Sequence, residues 1–555
     1  MAKYAIGVDF GTLSARALVA EIGTGKELAA ATMDYPHAVI DAALPTGEKL
    51  APGWALQHPG DYIECLKSVV PQALQKSGVD PADVIGVGVD FTASTILPLD
   101  ASGAPLCMKE EFARNPHAWV KLWKHHGAQA EANEMTRAAA QRKEPFLARY
   151  GGKISSEWTL PKIWETLRRA PEVYHAADRF VEAGDWLVSR LTGRAARSAS
   201  IAGYKALWSR ADGYPSRDYL RALDPAFESV CEEKLPGELL APGARAGELT
   251  AEGTRLTGLL PGTAVAVAHI DAHVSMPATG AVEAGRMLMI MGTSTCDIML
   301  GDAAKEVPGM CGAVLDGVVE GLIGFEAGQS CVGDSFNWFV ENCVPEKDAR
   351  AAREAGVDLH SYLTARAARL RPGESGLLAL DWLNGNRSVL VNAELTGMIL
   401  GLTLSTKAEE IYRALIESTA FGARVILEAF EESAVPVREL VACGGIAKKN
   451  PFLMQIYADV LNREIKVARS AQAPALGAAM FGAVAAGEAR GGYRAIADAA
   501  REMGGVDAVS YRPDPADARV YEALFREYRR LHDHFGRGGS DAMKRLRAIR
   551  DGQIG

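Results

Sequence analysis

Two apolar, strand-like runs open the chain, within Tyr4–Phe10 and Ala15–Val19, and flank a tight loop built from Asp9, Gly11, Thr12 and Ser14. Blocks of this length read as neighbouring buried strands joined by a tight loop. Glu27–Tyr35, after the turn Gly23-Thr24-Gly25, reads as a third, antiparallel strand, and the Pro-, Gly- and His-rich stretch 36–58 as a loop. At Pro59–Gln75 the period changes: Tyr62, Ile63, Leu66, Val69, Val70 and Leu74 recur at helical spacing. Val84–Val89 is again a wholly apolar strand. It ends in the polar loop Asp90-Phe91-Thr92-Ala93-Ser94-Thr95, and Ile96–Leu99 then leads into the turn 100–103. Strands alternating with helices predict an α/β domain.

Residues 115–240 are mostly helical by pattern and carry Trp119, Trp123, Trp158, Trp164, Trp186 and Trp208. Most of these are expected in the core, and a few are available to stack on the C–H face of a sugar. Ser198–Lys205 is small and polar and reads as a loop, with Lys205 by default at the surface. The strand Ala264–Ala268 delivers His269-Ile270-Asp271-Ala272-His273. Open α/β sheets place ligands at such strand ends, so Asp271 is a candidate acid. Two other readings stand beside it: Asp271 as a helix cap, or His269, Asp271 and His273 as metal ligands.

Gly292-Thr293-Ser294-Thr295 then repeats the opening turn between two further apolar runs, about 280 residues after the first. Val318–Gly324 reads as a strand that presents Glu326 at its end, and 376–404 as short strands around the turn Asn384–Arg387. Lys407–Glu432 is a helix with one packing stripe. The strand Leu440–Cys443 breaks at Gly444-Gly445; Asn450 and Pro451 suit the cap and first residue of a helix over Phe452–Leu461. The positive end of that helix is expected to face the diglycine, as in nucleotide sites. Asp517–Phe535 reads as an amphipathic helix on the second domain, with a basic, partly exposed tail after Gly536.

At 555 residues the chain exceeds one core, and the echo of the turn puts a boundary at Gly280–Gly285, giving domains 1–283 and 284–555. A net charge of −9 argues against general binding of nucleic acid or anionic membranes. The eight cysteines form no CxxC pair and read as buried free thiols. Met1-Ala2-Lys3 leads straight into a strand and no apolar run spans a bilayer, so a cytoplasmic enzyme is expected. In the first turn, a carboxylate (Asp9), a glycine (Gly11) and two hydroxyls (Thr12, Ser14) suit a phosphate and its Mg²⁺ ion, although an ordinary polar hairpin has the same composition.

Taken together, the two turns and the diglycine resemble the FGGY carbohydrate kinases. The carriers are Asp9–Arg16, Gly292–Thr295, and Gly444-Gly445 with Asn450-Pro451. Downstream, Gly397-Met398-Ile399-Leu400-Gly401-Leu402 with Glu410, Ile411, Ala414 and Glu417 matches the family signature, with Leu415 a slight departure. An imperfect upstream signature lies at Trp158–Trp164. The resemblance runs from residue 4 to about 535 and implies two actin-like (ribonuclease H-like) α/β ATPase domains around a cleft.

Within the family, Asp90–Thr95, Ala202–Trp208 and Gly324–Ser330 resemble the members that phosphorylate ribulose. That resemblance implies sugar contacts from Ala93, Trp123, Lys205, Asp271 and Glu326, with Asp271 as the base that takes the proton of the terminal hydroxyl. It further implies ATP held by Gly11, Thr12, Ser14, Gly292, Thr293, Gly444, Gly445 and Asn450, and Mg²⁺ organised by Asp9. The partner expected is a small sugar, with neither nucleic acid nor membrane; a homodimer is left open. Other acceptors (xylulose, ribitol, glycerol) and a non-catalytic ATP switch on the same fold are the competing readings.

Overall fold

The computed structural model describes residues 2–550 and 552. Two seven-stranded sheets organise it. In the first, Tyr4–Phe10, Ser14–Glu21 and Glu27–Asp34 form an antiparallel meander. On the other side of Tyr4–Phe10, Val84–Phe91 and then Ala264–Ala266 run parallel to it, and Arg245–Glu248 closes the edge antiparallel. His269–Ile270 resumes the pairing along Val84–Phe91 after a two-residue break.

The second sheet repeats this plan. Arg286–Met291, Thr295–Gly301 and Ile323–Gln329 are the meander, with Gly312–Leu315 added at its edge. Glu439–Cys443 and Ile465–Ala468 are the parallel strands, and Val506–Tyr511 is the antiparallel edge. Six strands therefore match in order and direction, the duplication that the two hairpins led us to expect. The turns differ in length. Gly11 N–H bonds to the Ser14 carbonyl at 3.0 Å, whereas Gly292 N–H bonds to that of Ser294 at 2.9 Å, one residue sooner.

The halves meet through two helices, Asp271–Ala278 and Ala473–Ala486, that pack against each other and share one apolar core with both sheets. Ala473–Ala486 is small and apolar on every side, so it has no amphipathic period to betray it in the sequence. It lies on the first sheet backbone to backbone. A Cβ on Gly7, Gly86 or Gly88 would sit 1.7, 2.0 or 1.8 Å from the carbonyl oxygens of Ala475, Gly482 and Ala478. By register, the second sheet carries Leu288, Glu439 and Val441 at those positions, and Asp271–Ala278 packs there through side chains.

Several expectations need correction. Ser198–Lys205 is not a loop: Ser198 caps the helix Ala199–Lys205 by accepting from Ile201 N–H at 3.3 Å. Glu326 lies inside the strand Ile323–Gln329 rather than at its end. A helical turn, Gly445–Lys449, separates the diglycine from the helix Pro451–Leu461, whose positive end therefore does not abut Gly444-Gly445. The late helix Pro515–Gly536 packs on the second half as expected, and a further helix, Ala542–Arg550, follows it. Among the described residues, no helix is long and apolar enough to cross a membrane. All eight cysteines are free, five of them buried, with Cys343 exposed and Cys296 and Cys311 half-buried.

Candidate active site

Three acids of the first half gather at the ends of its central strands. Asp9 and Asp90 are direct neighbours across the parallel ladder, and Asp271 opens the helix that follows His269–Ile270 beside Asp90–Phe91. Asp9 is bonded by Arg16 Nη1 at 3.3 Å. Asp90 is fully buried, and neither of its oxygens has a partner. Burial, then the charges of Asp9 and Asp271, push its pKa well above the usual carboxylate range. Burial also raises Asp9, against the pull of Arg16.

Asp271 is half-buried and accepts from its neighbour Ala272 N–H at 2.7 Å. Burial first, and then the charge of Asp9, lift its pKa to about 7; Glu326 adds to this and Lys205 opposes it. A carboxylate poised near neutrality can accept a proton and release it again.

Facing these acids, a buried ionic knot bridges the halves. Lys205 Nζ donates to both oxygens of Glu326, at 2.7 and 2.8 Å. Arg387 Nη2 bonds Glu326 Oε1 at 2.5 Å, and His273 Nε2 meets Oε2 at 3.1 Å. Burial would raise the pKa of Glu326, but Lys205, His273 and Arg387 hold it well below the usual range, so it stays ionised. Lys205 keeps its charge for the same reason. Its short helix is clamped to the second half by Tyr204 OH on the Gly324 carbonyl (2.7 Å) and Ser200 Oγ on that of Gly317 (2.6 Å). Thus Lys205 is a buried cross-cleft ligand of Glu326, not the surface residue its polar surroundings suggest.

Trp123 Nε1 donates to Thr12 Oγ1 at 3.1 Å, which ties a candidate sugar residue to the first turn. Ala93 is buried in the loop after Val84–Phe91. Lys162, from the upstream signature, supports both: its Nζ donates to the carbonyls of Ser94 (2.6 Å) and Leu122 (2.8 Å). Beneath, Lys121 is bonded to Glu165 and Thr166, both at 2.7 Å, and Glu165 in turn to His125. The downstream signature has a structural use as well: Glu417 accepts from Arg413 (2.7 Å) and Tyr521 (2.9 Å), joining the helix Ala408–Glu432 to the late helix Pro515–Gly536.

In the second half, Gly292 and Thr293 are pinned by the start of the helix Gly333–Asn342, where Val332 N–H and Asp334 N–H bond the Thr293 carbonyl. Gly444 adjoins this turn. Its φ is 95°, and a Cβ there would sit 2.4 Å from the Met291 carbonyl oxygen, so only glycine fits. Gly445 faces open space. Asn450 uses its side-chain oxygen to cap its own helix, accepting from Leu453 N–H at 3.0 Å.

The fold thus brings Lys205 to Glu326, Asp271 within reach of the charges of both, Trp123 to Thr12, and Gly444 to the second turn. It does not assemble His269, Asp271 and His273 around a metal: His273 is spent on Glu326, and among the described residues the one group compact enough to share an ion lies elsewhere. Sequence reasoning missed Asp90, Arg387 and Asp297. Asp297 is a buried acid with no partner on either oxygen, and burial raises its pKa to about 7. Asp90 carried the same signal as Asp271, an acid closing an apolar strand. Arg387 sits in a turn far along the chain, and nothing local points it at Glu326.

Comparison with known proteins fits this geometry. Residues 4–276 match the N-terminal domain, and 287–486 the C-terminal domain, of the FGGY family of carbohydrate kinases. The chain belongs to that family. A ribulokinase of Geobacillus thermodenitrificans is 57% identical over 546 residues, covering 98% of this chain and 97% of that protein. One of Halalkalibacterium halodurans is 54% identical over 549 residues, covering 99% and 98%. Among solved structures, xylulose kinase from Rhodospirillum rubrum superposes with a TM-score of 0.77 at 23% identity, covering 96% of this chain and 98% of that one. The two-domain α/β kinase fold expected from the resemblance is therefore borne out, and the protein is an FGGY carbohydrate kinase.

Proposed function

We propose that this kinase transfers the γ-phosphoryl group of ATP to the terminal (C5) hydroxyl of L-ribulose, forming ribulose 5-phosphate in L-arabinose breakdown, in a cytoplasmic setting. The observation that carries the chemistry is the placement of Asp271 at the strand ends beside Asp90 and Asp9, where burial and the charge of Asp9 lift its pKa to about 7. A sugar hydroxyl is a poor nucleophile at neutral pH, and a positioned base of this kind contributes about 10²–10⁴-fold. The ribulokinases that align over nearly the whole chain support ribulose as the acceptor.

In this reading Ala93, Trp123, Lys205 and Glu326 bind the sugar, and Asp271 holds its terminal hydroxyl. As the oxygen forms its bond to the γ-phosphorus, the bond from that phosphorus to the β–γ bridging oxygen breaks and ADP leaves. The hydroxyl proton passes to Asp271. Gly11, Thr12, Ser14, Gly292 and Thr293 cradle the phosphates, and Gly444, Gly445 and Asn450 lie beside the nucleoside. Asp9 offers a hard carboxylate donor that would suit Mg²⁺, and Asp90 lies next to it on the ladder. That ion supplies charge neutralisation on the phosphates. We divide the halves at residues 283 and 284; closing them excludes water from the phosphoryl group.

The test is catalytic efficiency over a panel of L-ribulose, D-ribulose, xylulose, ribitol and glycerol, by coupled ADP release. L-Ribulose is expected to rank first. Ranking well below xylulose would overturn the substrate assignment, and ATP turnover indifferent to every sugar would overturn the kinase chemistry.

A further inference from the structure

Behind the first turn, two imidazoles converge on one carboxylate oxygen. Asp61 is 2% exposed, and its Oδ1 lies 2.7 Å from His37 Nδ1 and 3.6 Å from His58 Nδ1. The two rings stack at 4.3 Å between centroids, 14° apart, and each of the three residues offers a ligand atom within 4.8 Å of the others. Donors around a tetrahedral zinc ion, each about 2.0–2.2 Å from the metal, lie about 3.3 Å from one another. The observed separations bracket that value.

Both ring nitrogens are held in place by single bonds that an ion would replace. His58 Nδ1 accepts the cap bond from Gly60 N–H at 3.1 Å, so it carries no proton, and an ion bound there would take the lone pair in place of Gly60 N–H. Gly60 is what lets the ring sit there, since a Cβ would come within 2.8 Å of it. The His37 side chain is 41% exposed, which leaves the remaining coordination position to water.

We propose that His37, His58 and Asp61 form a binding site for a zinc-class divalent metal ion, one that braces the first turn from behind. Two imidazoles and a carboxylate suit Zn²⁺ or Co²⁺ rather than Mg²⁺. On binding, the proton on His37 Nδ1 is exchanged to Nε2, so the ring stays neutral and its Nδ1 lone pair takes the ion beside His58 and Asp61.

Each ligand adjoins a residue that holds the turn. Tyr35, two before His37, bonds the Gly11 carbonyl through its hydroxyl and that of Leu13 through its N–H, both at 2.9 Å. Gln57, next to His58, donates to the Thr12 carbonyl at 2.8 Å. Tyr62, next to Asp61, fixes Gln57 at 2.7 Å. An ion joining the three ligands therefore ties together the supports of three successive carbonyls. Nothing in this depends on which sugar the enzyme accepts.

The experiment titrates metal-free, full-length protein with Co²⁺ and then Zn²⁺ in excess Mg²⁺, reading the visible Co²⁺ absorption and thermal unfolding. Wild type is expected to bind one ion per chain and to unfold at higher temperature when loaded. His37→Ala and His58→Ala are expected to weaken binding by at least about tenfold and to lose the thermal shift. His37→Ala, at an exposed side chain, keeps the metal-free fold and so separates loss of ligand from loss of structure. Absence of binding overturns the proposal, and so does binding undiminished in both variants.

Discussion

The two halves share one scaffold and use it in opposite ways. At the ladder position just before the first turn stands Asp9, paired with Arg16 on one side and Asp90 on the other. The same position in the second half is Ile290, paired with Cys296 and Cys443. Topology is repeated strand for strand, while the charged cluster is replaced by an isoleucine and two thiols. Acids gather where the first half ends its strands, and the second half answers with the shorter turn and a glycine-only junction at Gly444. A duplicated fold can therefore differ between its halves without changing its hydrogen-bond ladder: clustered carboxylates on one side, close backbone approach on the other.

That division can be broken most sharply at Asp271. Asp271→Asn keeps the shape and removes the proposed base, and kcat is expected to fall by about 10²–10⁴-fold in the coupled assay with L-ribulose. With Asp271 in the proposed role the ionised form is the active one, so kcat/KM is expected to rise with pH through about 7 and the variant to lose that limb. Activity near wild type in Asp271→Asn would move the proton chemistry elsewhere.

Next comes the contact between Arg387 and Glu326, a proposed sugar ligand. Arg387→Met leaves Glu326 to Lys205 and His273 and is expected to lower kcat/KM for the sugar by roughly 10–100-fold, mainly through KM, the size of a charge-assisted hydrogen bond. An unchanged sugar KM would make Arg387 merely structural.

The packing asymmetry gives a third test. Gly88→Ala puts a methyl into the backbone of Ala478 and is expected to cost about 1–3 kcal/mol or more, read as a lowered thermal midpoint. At the matching Val441, a side chain is already accommodated.

The smallest effect is expected at Asp90. The folded state holds this proton more tightly than the unfolded chain does, so Asp90 costs stability as pH rises above the ordinary carboxylate range. Asp90→Asn removes that cost, and its gain in thermal midpoint over wild type is expected to be larger at pH 8 than at pH 5. An equal gain at both would show that Asp90 is not carrying the proton.

Much of this was legible beforehand, for identifiable reasons. Strands buried on both faces announce themselves as apolar runs, so Tyr4–Phe10, Val84–Phe91 and Glu439–Cys443 were visible, and the turn repeated at Gly292 exposed the duplication. Glu326 was marked by its strand, whereas Lys205 came from the family resemblance, because a lysine among small residues has no local mark of burial. What stayed hidden depends on distance in space. Ala473–Ala486 has no period because it is covered all round, and its role rests on glycines some 400 residues upstream. Arg387 finds Glu326 only after the second sheet has formed.

The glycine floor of the first sheet also has a bearing on biosynthesis. Gly7, Gly86 and Gly88 leave the ribosome early, yet the helix that covers them ends at Ala486. Until that stretch emerges, the nascent first half carries a bare, side-chain-poor sheet face. It cannot mature as an independent unit, and a fragment truncated at residue 283 is expected to be insoluble unless the remainder is supplied.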